Sequence, residues 1–531
     1  MVGFGRCWGK AEYAEEKSVM KRRITGVVLF VVLAIPMAVQ ADLQNVQVGG
    51  EVRLRANFVS STLAAPGPIE VRYTPAELAG RPIGGPFAFP NNGLGAVSYL
   101  SWNRRSNNTN FVEQRTRLHV SADFTDNVNA FVEFDSYDVW GEDFRSDYLT
   151  GVDSRSTTGL TPTLLGPDGD VSLYQAYIEA RELYGTPLAI RIGRQELSFG
   201  SEFLVGKGDK APLFRGLSFD AVRLTYAGQT FTVDGWMSKL AEGSPAEEDG
   251  DVDFYGIYGT CKAIENVAFD LYWLYLRDAR ALPSDPVGPA GFDPTYDPTE
   301  LHTIGARSAG KTGAFDFEAE VAYQFGDMDQ AGFTFKPGLY GDHDADADAW
   351  AAKLEVGYSF DCPWKPRLFV GGVYFGGEDN RTVSANPLYP RSSVSFNRLF
   401  SNQIYSGFVD LNNDFSNGYD VRIGVLTFPM EKLVMLLCVS YFGADDTFDM
   451  PVAGQPSSVT KSSGSHMGTE SYLALFYNYS KDLQFDAGWA HWFRGEGAFD
   501  GNFVEWNGYM LNKGSAHNDG DYIYVGSTLK F

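Results

Sequence analysis

Hydrophobic and polar residues alternate along most of this chain. Over 46–58, Val46, Val48, Val52, Leu54, Ala56 and Phe58 share one parity, while Gln47, Glu51, Arg53, Arg55 and Asn57 share the other. Successive side chains of a β-strand point to opposite faces, so this segment carries one apolar and one charged face. The period recurs at 111–124, 128–139, 171–181, 188–199, 218–227, 229–238, 252–262, 267–278, 300–308, 314–325, 347–360, 367–376, 418–428, 432–443, 467–479, 482–494 and 519–531, which predicts eighteen strands. A soluble sandwich alternates in the same way. The period alone therefore does not say what the apolar faces touch.

Strand number and connection length decide it. The count is even, and many segments have the roughly 9–11 or more residues that cross a bilayer at a tilt. Tight turns such as Thr125-Asp126-Asn127, Ala227-Gly228-Gln229, Pro429-Met430-Glu431 and Ser480-Lys481 alternate with long connections at 59–110, 140–170, 200–217, 279–299, 326–346, 377–417, 444–466 and 495–518. Short turns at one end and long loops at the other are the pattern of outer-membrane barrels. In lipid a sheet must close on itself so that no backbone edge is left unpaired. The expected fold is all-β, an 18-stranded antiparallel transmembrane β-barrel of outer-membrane type, with both termini periplasmic and the long loops extracellular. Tyr137, Trp140, Trp350, Tyr358, Tyr441, Trp489 and Tyr522 lie near strand ends and are read as interface girdles or as ordinary aromatic packing. The last segment places Ile523, Val525, Ser527, Leu529 and Phe531 on one parity. Such a strand ending in Phe531 resembles the signal read by the barrel assembly machinery.

The N-terminal region changes the domain count. An apolar run from Ile24 to Ala38 follows Lys21, Arg22 and Arg23 and precedes Val39-Gln40-Ala41. This is the layout of a secretory signal peptide. Residues 1–41 are read as an N-terminal extension plus that peptide, with Met20 as the start, and 42–531 as one barrel.

Composition and charge narrow the partners. The chain is 15% aromatic and has a formal net charge of -24. A surface of that sign does not suit nucleic acid, which needs a basic footprint. Only one apolar run approaches the length of a membrane helix, which excludes a helical bundle. Four cysteines, Cys7, Cys261, Cys362 and Cys438, are too widely spaced for a disulfide framework or a CxxC site. The six histidines form no HExxH spacing. No Gly-x-Ser-x-Gly elbow is found, and no enzyme is expected. An outer-membrane barrel enzyme, or an adhesin with its function in the loops, is the alternative.

Parity also assigns the lumen. Arg53, Arg55, Arg115, Arg117, Arg191, Arg223, Arg307, Lys353 and Arg422 are expected on the inner face. Glu51, Glu113, Glu133, Asp135, Glu179, Glu318, Glu320, Glu355 and Asp420 join them. Arg194 breaks parity with Arg191, and a bulge at Gly193 would return it to the lumen. Two readings stay open. The arginines recognise carboxylate-bearing solutes in transit, or bases and acids form ion pairs that stiffen the wall. Asp342, Asp344, Asp346 and Asp348 are a candidate Ca²⁺ site or a solvated acidic loop. No other cofactor is expected.

Several blocks carry a family resemblance. They are Gln175-Ala176-Tyr177-Ile178-Glu179, Ile190-Arg191-Ile192-Gly193-Arg194-Gln195-Glu196-Leu197, Ser218-Phe219-Asp220-Ala221-Val222-Arg223-Leu224 and Asp253-Phe254-Tyr255-Gly256-Ile257-Tyr258. His302-Thr303-Ile304-Gly305-Ala306-Arg307, Phe317-Glu318-Ala319-Glu320, Tyr323-Gln324-Phe325-Gly326, Ala349-Trp350-Ala351-Ala352 and Gly357-Tyr358 follow in order. Over 46–531 the chain resembles the alginate-export family of outer-membrane porins. The resemblance implies an eighteen-stranded barrel and passive passage of an anionic polysaccharide through an Arg-rich lumen. The acidity and the long first loop of this chain widen the expected class to an anionic or neutral saccharide or another small solute.

Overall fold

Every alternating segment forms one strand in the computed structural model. The structure describes residues 43–60, 108–140 (126 apart), 171–209, 216–242, 251–279, 298–327, 346–377, 393–394, 396–408, 416–445, 449–451, 460–462, 465–496, 504–505, 509–510 and 519–531. The leader expected at 1–41 lies outside them.

The strands are β1 (Asn45–Ser60), β2 (Thr109–Thr125), β3 (Val128–Val139), β4 (Ser172–Ala180), β5 (Leu188–Gln195), β6 (Phe219–Ala227), β7 (Phe231–Ala241), β8 (Val252–Ile264) and β9 (Val267–Asp278). They continue with β10 (Thr299–Thr312), β11 (Phe315–Asp327), β12 (Asp346–Ser359), β13 (Arg367–Phe375), β14 (Gly418–Met430), β15 (Leu433–Ala444), β16 (His466–Asn478), β17 (Leu483–Arg494) and β18 (Gly520–Lys530). Each pairs antiparallel with the next, and β18 pairs back onto β1 from Glu51↔Lys530 to Ser60↔Asp521, so the 18-strand barrel is closed. Phe531 completes the seam. Its N–H donates to Gly50 O at 3.1 Å, and its carbonyl accepts from Gly50 N at 2.9 Å.

The alternation sorts the two faces as a membrane demands. Val48, Ile178, Leu271, Leu354, Val421 and Val525 are exposed on the outer wall. Arg55, Glu113, Arg115, Glu133, Asp270 and Glu470 are buried on the inner one. Trp140, Trp350, Tyr358, Tyr441 and Trp489 are exposed, as a girdle requires. Tyr137 and Tyr522 are not girdle residues. Both share the inward parity, with the Tyr137 hydroxyl donating to Glu113 and the Tyr522 hydroxyl to Asn57. Position near a strand end does not report which face a ring is on.

One strand ends earlier than its pattern. The segment expected over 188–199 is β-strand only to Gln195. Leu197 and Phe199 fall on the inward parity, opposite to the outward Leu188, Ile190 and Ile192, and are buried where the chain leaves the wall for the lumen. Within the long β13–β14 connection, residues 396–408 do the same and meet the first segment through a parallel bridge, Val205↔Phe400. Two connections expected to be extracellular loops therefore contribute inward segments.

Candidate functional site

The inward segments pack on wall aromatics and leave a cavity beside them. Phe199 stacks on Trp236 at 4.5 Å and on Tyr258 at 5.1 Å, and Tyr258 stacks on Tyr272 at 5.4 Å. Phe400 meets Phe219 and Phe254 edge-on, and Phe203 stacks on Phe375 at 5.7 Å. Burial of this aromatic surface is what holds loop backbone inside a charged barrel.

Polar contacts fix the segments to each other and to the wall. Phe400 N donates to Leu204 O and Gly206 N to Phe400 O, both at 2.9 Å. The Asn402 side-chain amide donates to Glu202 Oε2 at 2.6 Å. Glu470 of β16 accepts three bonds, from the Ser406 hydroxyl at 2.6 Å and from the Gly407 and Phe408 amides at 2.9 Å. Gln324 of β11 exchanges two bonds with the Asn397 backbone, each 2.7 Å. Glu196 lies just past β5. It accepts from the Tyr174 hydroxyl at 2.8 Å and faces Arg117 at 3.7 Å. Burial pushes its carboxyl above the usual carboxylate range.

Part of the lumen stays open beneath these segments. A cavity of about 800 Å³ is walled by strands β12–β18 and β1. Its roof is Asp209 and Ile404 to Gly407, and its mouth is the Ser480–Gln484 turn and Lys530. Arg53, Arg55 and Arg422 border it, together with Glu51, Glu355, Glu470, Tyr405, Tyr472, Tyr522 and Tyr524.

The expected lumen residues therefore fall into two groups. Arg115, Arg117, Arg191, Arg223, Arg307, Lys353, Glu133, Glu179 and Glu320 are on the inner face but do not border this cavity. Their charges are matched across neighbouring strands. Arg115 meets Glu51 at 2.5 Å, Arg191 meets Glu179 at 3.1 Å and Arg223 meets Asp234 at 2.8 Å. Arg307 meets Asp270 at 2.7 Å and Glu318 at 2.9 Å, while Lys353 meets Glu318 at 3.3 Å. Gln175 donates to Glu133 at 2.7 Å, and the Tyr272 hydroxyl donates to Glu320 at 3.0 Å. These bases and acids of the wall are thus matched by ion pairs and hydrogen bonds.

The cavity group is arranged differently. Arg55 pairs with Asp486 at 3.0 Å and lies over the Tyr524 ring at 4.3 Å. Arg422 pairs with Asp420 at 3.3 Å and faces the Tyr405 ring at 5.2 Å. Arg53 donates to the backbone carbonyl of Asp209 on the inward segment at 3.1 Å. Tyr472 and Tyr524 share a hydroxyl contact of 3.0 Å. Asp234, Asp270, Glu470 and Asp486 were not among the expected lumen acids. Each shares the inward parity of its strand, and an aromatic or apolar neighbour on that face disguised it.

Arg194 is corrected. The β4–β5 register runs unbroken through Ala176↔Arg194, Tyr177↔Gly193 and Ile178↔Ile192, so no bulge exists at Gly193. Arg194 instead faces outward with Ile192 and grips Asp220 with two bonds of 2.8 Å. Gly193 has another reason to be glycine. Its φ is +126°, and a Cβ there would stand 2.2 Å from Ala176 O. The register shift lies one strand earlier, between Glu133 and Phe134, where Tyr174 and Gln175 both turn inward.

Of the proposed Ca²⁺ ligands, Asp342 and Asp344 lie outside the described residues. Asp346 and Asp348 are exposed on β12, and Asp348 accepts from the Tyr323 hydroxyl at 2.8 Å. Among the described residues, no three His, Cys, Asp or Glu side chains group as a metal site.

Solved structures resemble the chain distantly. They include OccAB1 of Acinetobacter baumannii (10% identity, 91% of this chain and 96% of that one, TM-score 0.49). A BenF-like porin from Pseudomonas fluorescens Pf-5 shows 11% identity, coverage of 92% and 100%, and a TM-score of 0.48. OccD3 of Pseudomonas aeruginosa shows 10% identity, coverage of 94% and 95%, and a TM-score of 0.47. Likenesses this distant carry no weight here. No curated protein matches the chain. The family model described as alginate export matches residues 102–502, most of the sequence, and the chain belongs to the alginate export family.

Proposed function

We propose that this outer-membrane barrel is a diffusion channel for hydrophilic, chiefly anionic solutes, with uronate-like saccharides in the class. The observation that carries the proposal is the one-sided cavity, where Arg53, Arg55 and Arg422 stand beside Tyr405, Tyr472, Tyr522 and Tyr524. Guanidinium forks match carboxylates, and flat aromatic faces suit sugar rings. The neighbouring Glu51, Glu355 and Glu470 keep the wall from trapping an anion, so binding stays weak enough for release. In this reading the short turns and both termini are periplasmic, and the cavity mouth opens on that side. The outer-face position of Phe531 at the seam suits contact with the barrel assembly machinery.

Planar-bilayer recording of the purified barrel tests the proposal. Unitary current steps are expected, with millimolar oligouronates interrupting them more than a neutral oligosaccharide of equal length. A folded barrel that stays silent contradicts the channel. Equal block by both sugars contradicts the anionic preference.

A further inference from the structure

Two of the arginines that border the cavity also touch its roof. Arg53 of β1 donates to the carbonyl of Asp209 on the first inward segment at 3.1 Å. Arg422 of β14 faces the Tyr405 ring of the second segment at 5.2 Å. Asp209 passes the hold on. Its Oδ1 accepts from Asn402 Nδ2 at 3.2 Å, and the same amide group bonds Glu202. Wall, first segment and second segment are linked through one guanidinium.

The two roof contacts differ in what else supports them. Next to Tyr405, Glu470 accepts from the Ser406 hydroxyl and from the Gly407 and Phe408 amides. A solute carboxylate has nothing to offer those donors that Glu470 does not already supply. The first segment is pinned at its other end, where the Ser201 hydroxyl donates to Glu320 at 3.2 Å. Towards Asp209, Lys207 reaches Glu196 only at 3.8 Å. The Asp209 end therefore leans on Arg53, the group that a carboxylate in the cavity would seek.

We propose that a carboxylate-bearing solute unlatches this roof by taking Arg53 from Asp209. The inference rests on the reading that such solutes enter the cavity. A guanidinium bonds an ionised acceptor about twice as strongly as a neutral one, and holds a carboxylate by two parallel bonds. A ligand shifts an equilibrium only as far as it binds one state better. Arg53 offers its full fork only when the Asp209 carbonyl is released, so the solute favours the released state. The Asp209 end then comes free, the Asn402 link weakens, and the passage beside the segments widens while a carboxylate is present. The empty channel stays narrow.

Hydrogen exchange read by mass spectrometry, run beside current recording on the purified barrel in lipid nanodiscs and bilayers, tests this. The probes are trigalacturonate and maltotriose at equal millimolar concentration. The reporters are the amides of Gly206 and Gly216, which donate to Phe400 O at 2.9 Å and to Gly208 O at 3.0 Å. Such amides exchange by local opening. Trigalacturonate should speed their exchange at least threefold and maltotriose should not. The Phe408 amide, held by Glu470, should keep its protection. Arg53→Gln should speed the reporters at least threefold without any solute and abolish the further response, with the folded band of heat-modifiable mobility retained. Trigalacturonate that blocks current but leaves the reporters unchanged, or slows them, overturns the latch and leaves the channel reading standing. If it neither blocks nor alters exchange, the anionic preference and the latch fall together. Reporters that exchange in Arg53→Gln as in the wild type also overturn the latch.

Discussion

Asn402 and Glu202, two hundred residues apart in sequence, are joined by a 2.6 Å hydrogen bond between the two inward segments. One belongs to the connection after β5 and the other to the connection after β13. Their bond ties together the two segments that enter the lumen. The closed sheet is held by its own ladder, so it does not depend on this link.

Asn402→Ala should therefore change conduction more than stability. The half-buried Glu202 keeps the bond from the Ser198 hydroxyl at 2.6 Å, so the lost bond costs only about 0.5–1.5 kcal/mol locally. We expect larger and noisier single-channel currents with an unchanged melting temperature of the barrel. Quiet currents of wild-type size would show that the segments do not limit flow.

Glu470 is the wall anchor of the second segment, through its three accepted bonds. Glu470→Ala leaves the Ser406 hydroxyl and two amides without that acceptor. The half-buried thiol of Cys438 borders the same cavity and reports the consequence. Its modification by a charged methanethiosulfonate, in a Cys261→Ser, Cys362→Ser background, should become severalfold faster. An unchanged rate would mean that the aromatic packing alone holds the segment.

Arg55 borders the cavity and is itself one partner of a buried ion pair, so it should also respond as a structural element. Arg55 and Asp486 are both buried, so removing one leaves an uncompensated charge. Arg55→Met should cost about 3–5 kcal/mol, and Arg55→Met with Asp486→Leu should recover most of it. Urea unfolding in detergent or lipid measures both. Equal losses in the single and double variants would show that the pair is not the source.

Gly193→Val introduces a side chain where the backbone has φ +126° and Ala176 O lies 2.2 Å from the added carbon. Strain of this kind costs about 1–3 kcal/mol before any clash is counted. The heat-modifiable folded band should be lost or strongly reduced, while Gly185→Ala, in an open turn, keeps it.

The strands were legible because a half-buried strand writes its two faces as a period of two, and Val46 to Phe58 do so without exception. The same parity placed the lumen bases, since Arg53, Arg115 and Arg307 each alternate with lipid-facing residues. Three things were not legible. Leu197 and Phe199 alternate like a strand because loop and wall bury one side of them. Arg194 follows the outward parity and needed the register to show that Gly193 makes no bulge. The division of the lumen depends on contacts such as Asn402–Glu202 and Glu470–Ser406, which join residues far apart in sequence and leave no local pattern.

The proposed path of solutes runs along the side of the lumen bordered by β12–β18 and β1, and not through the part packed with Phe199, Trp236 and Tyr258. Reversal potentials across a KCl gradient test it most directly, comparing Arg53→Glu with Arg223→Gln. Arg53 borders the cavity, while Arg223 is held by Asp234 beneath Phe199. A clear shift toward cation selectivity is expected for Arg53→Glu and none for Arg223→Gln. An unchanged potential for Arg53→Glu, with a shift for Arg223→Gln, would contradict it.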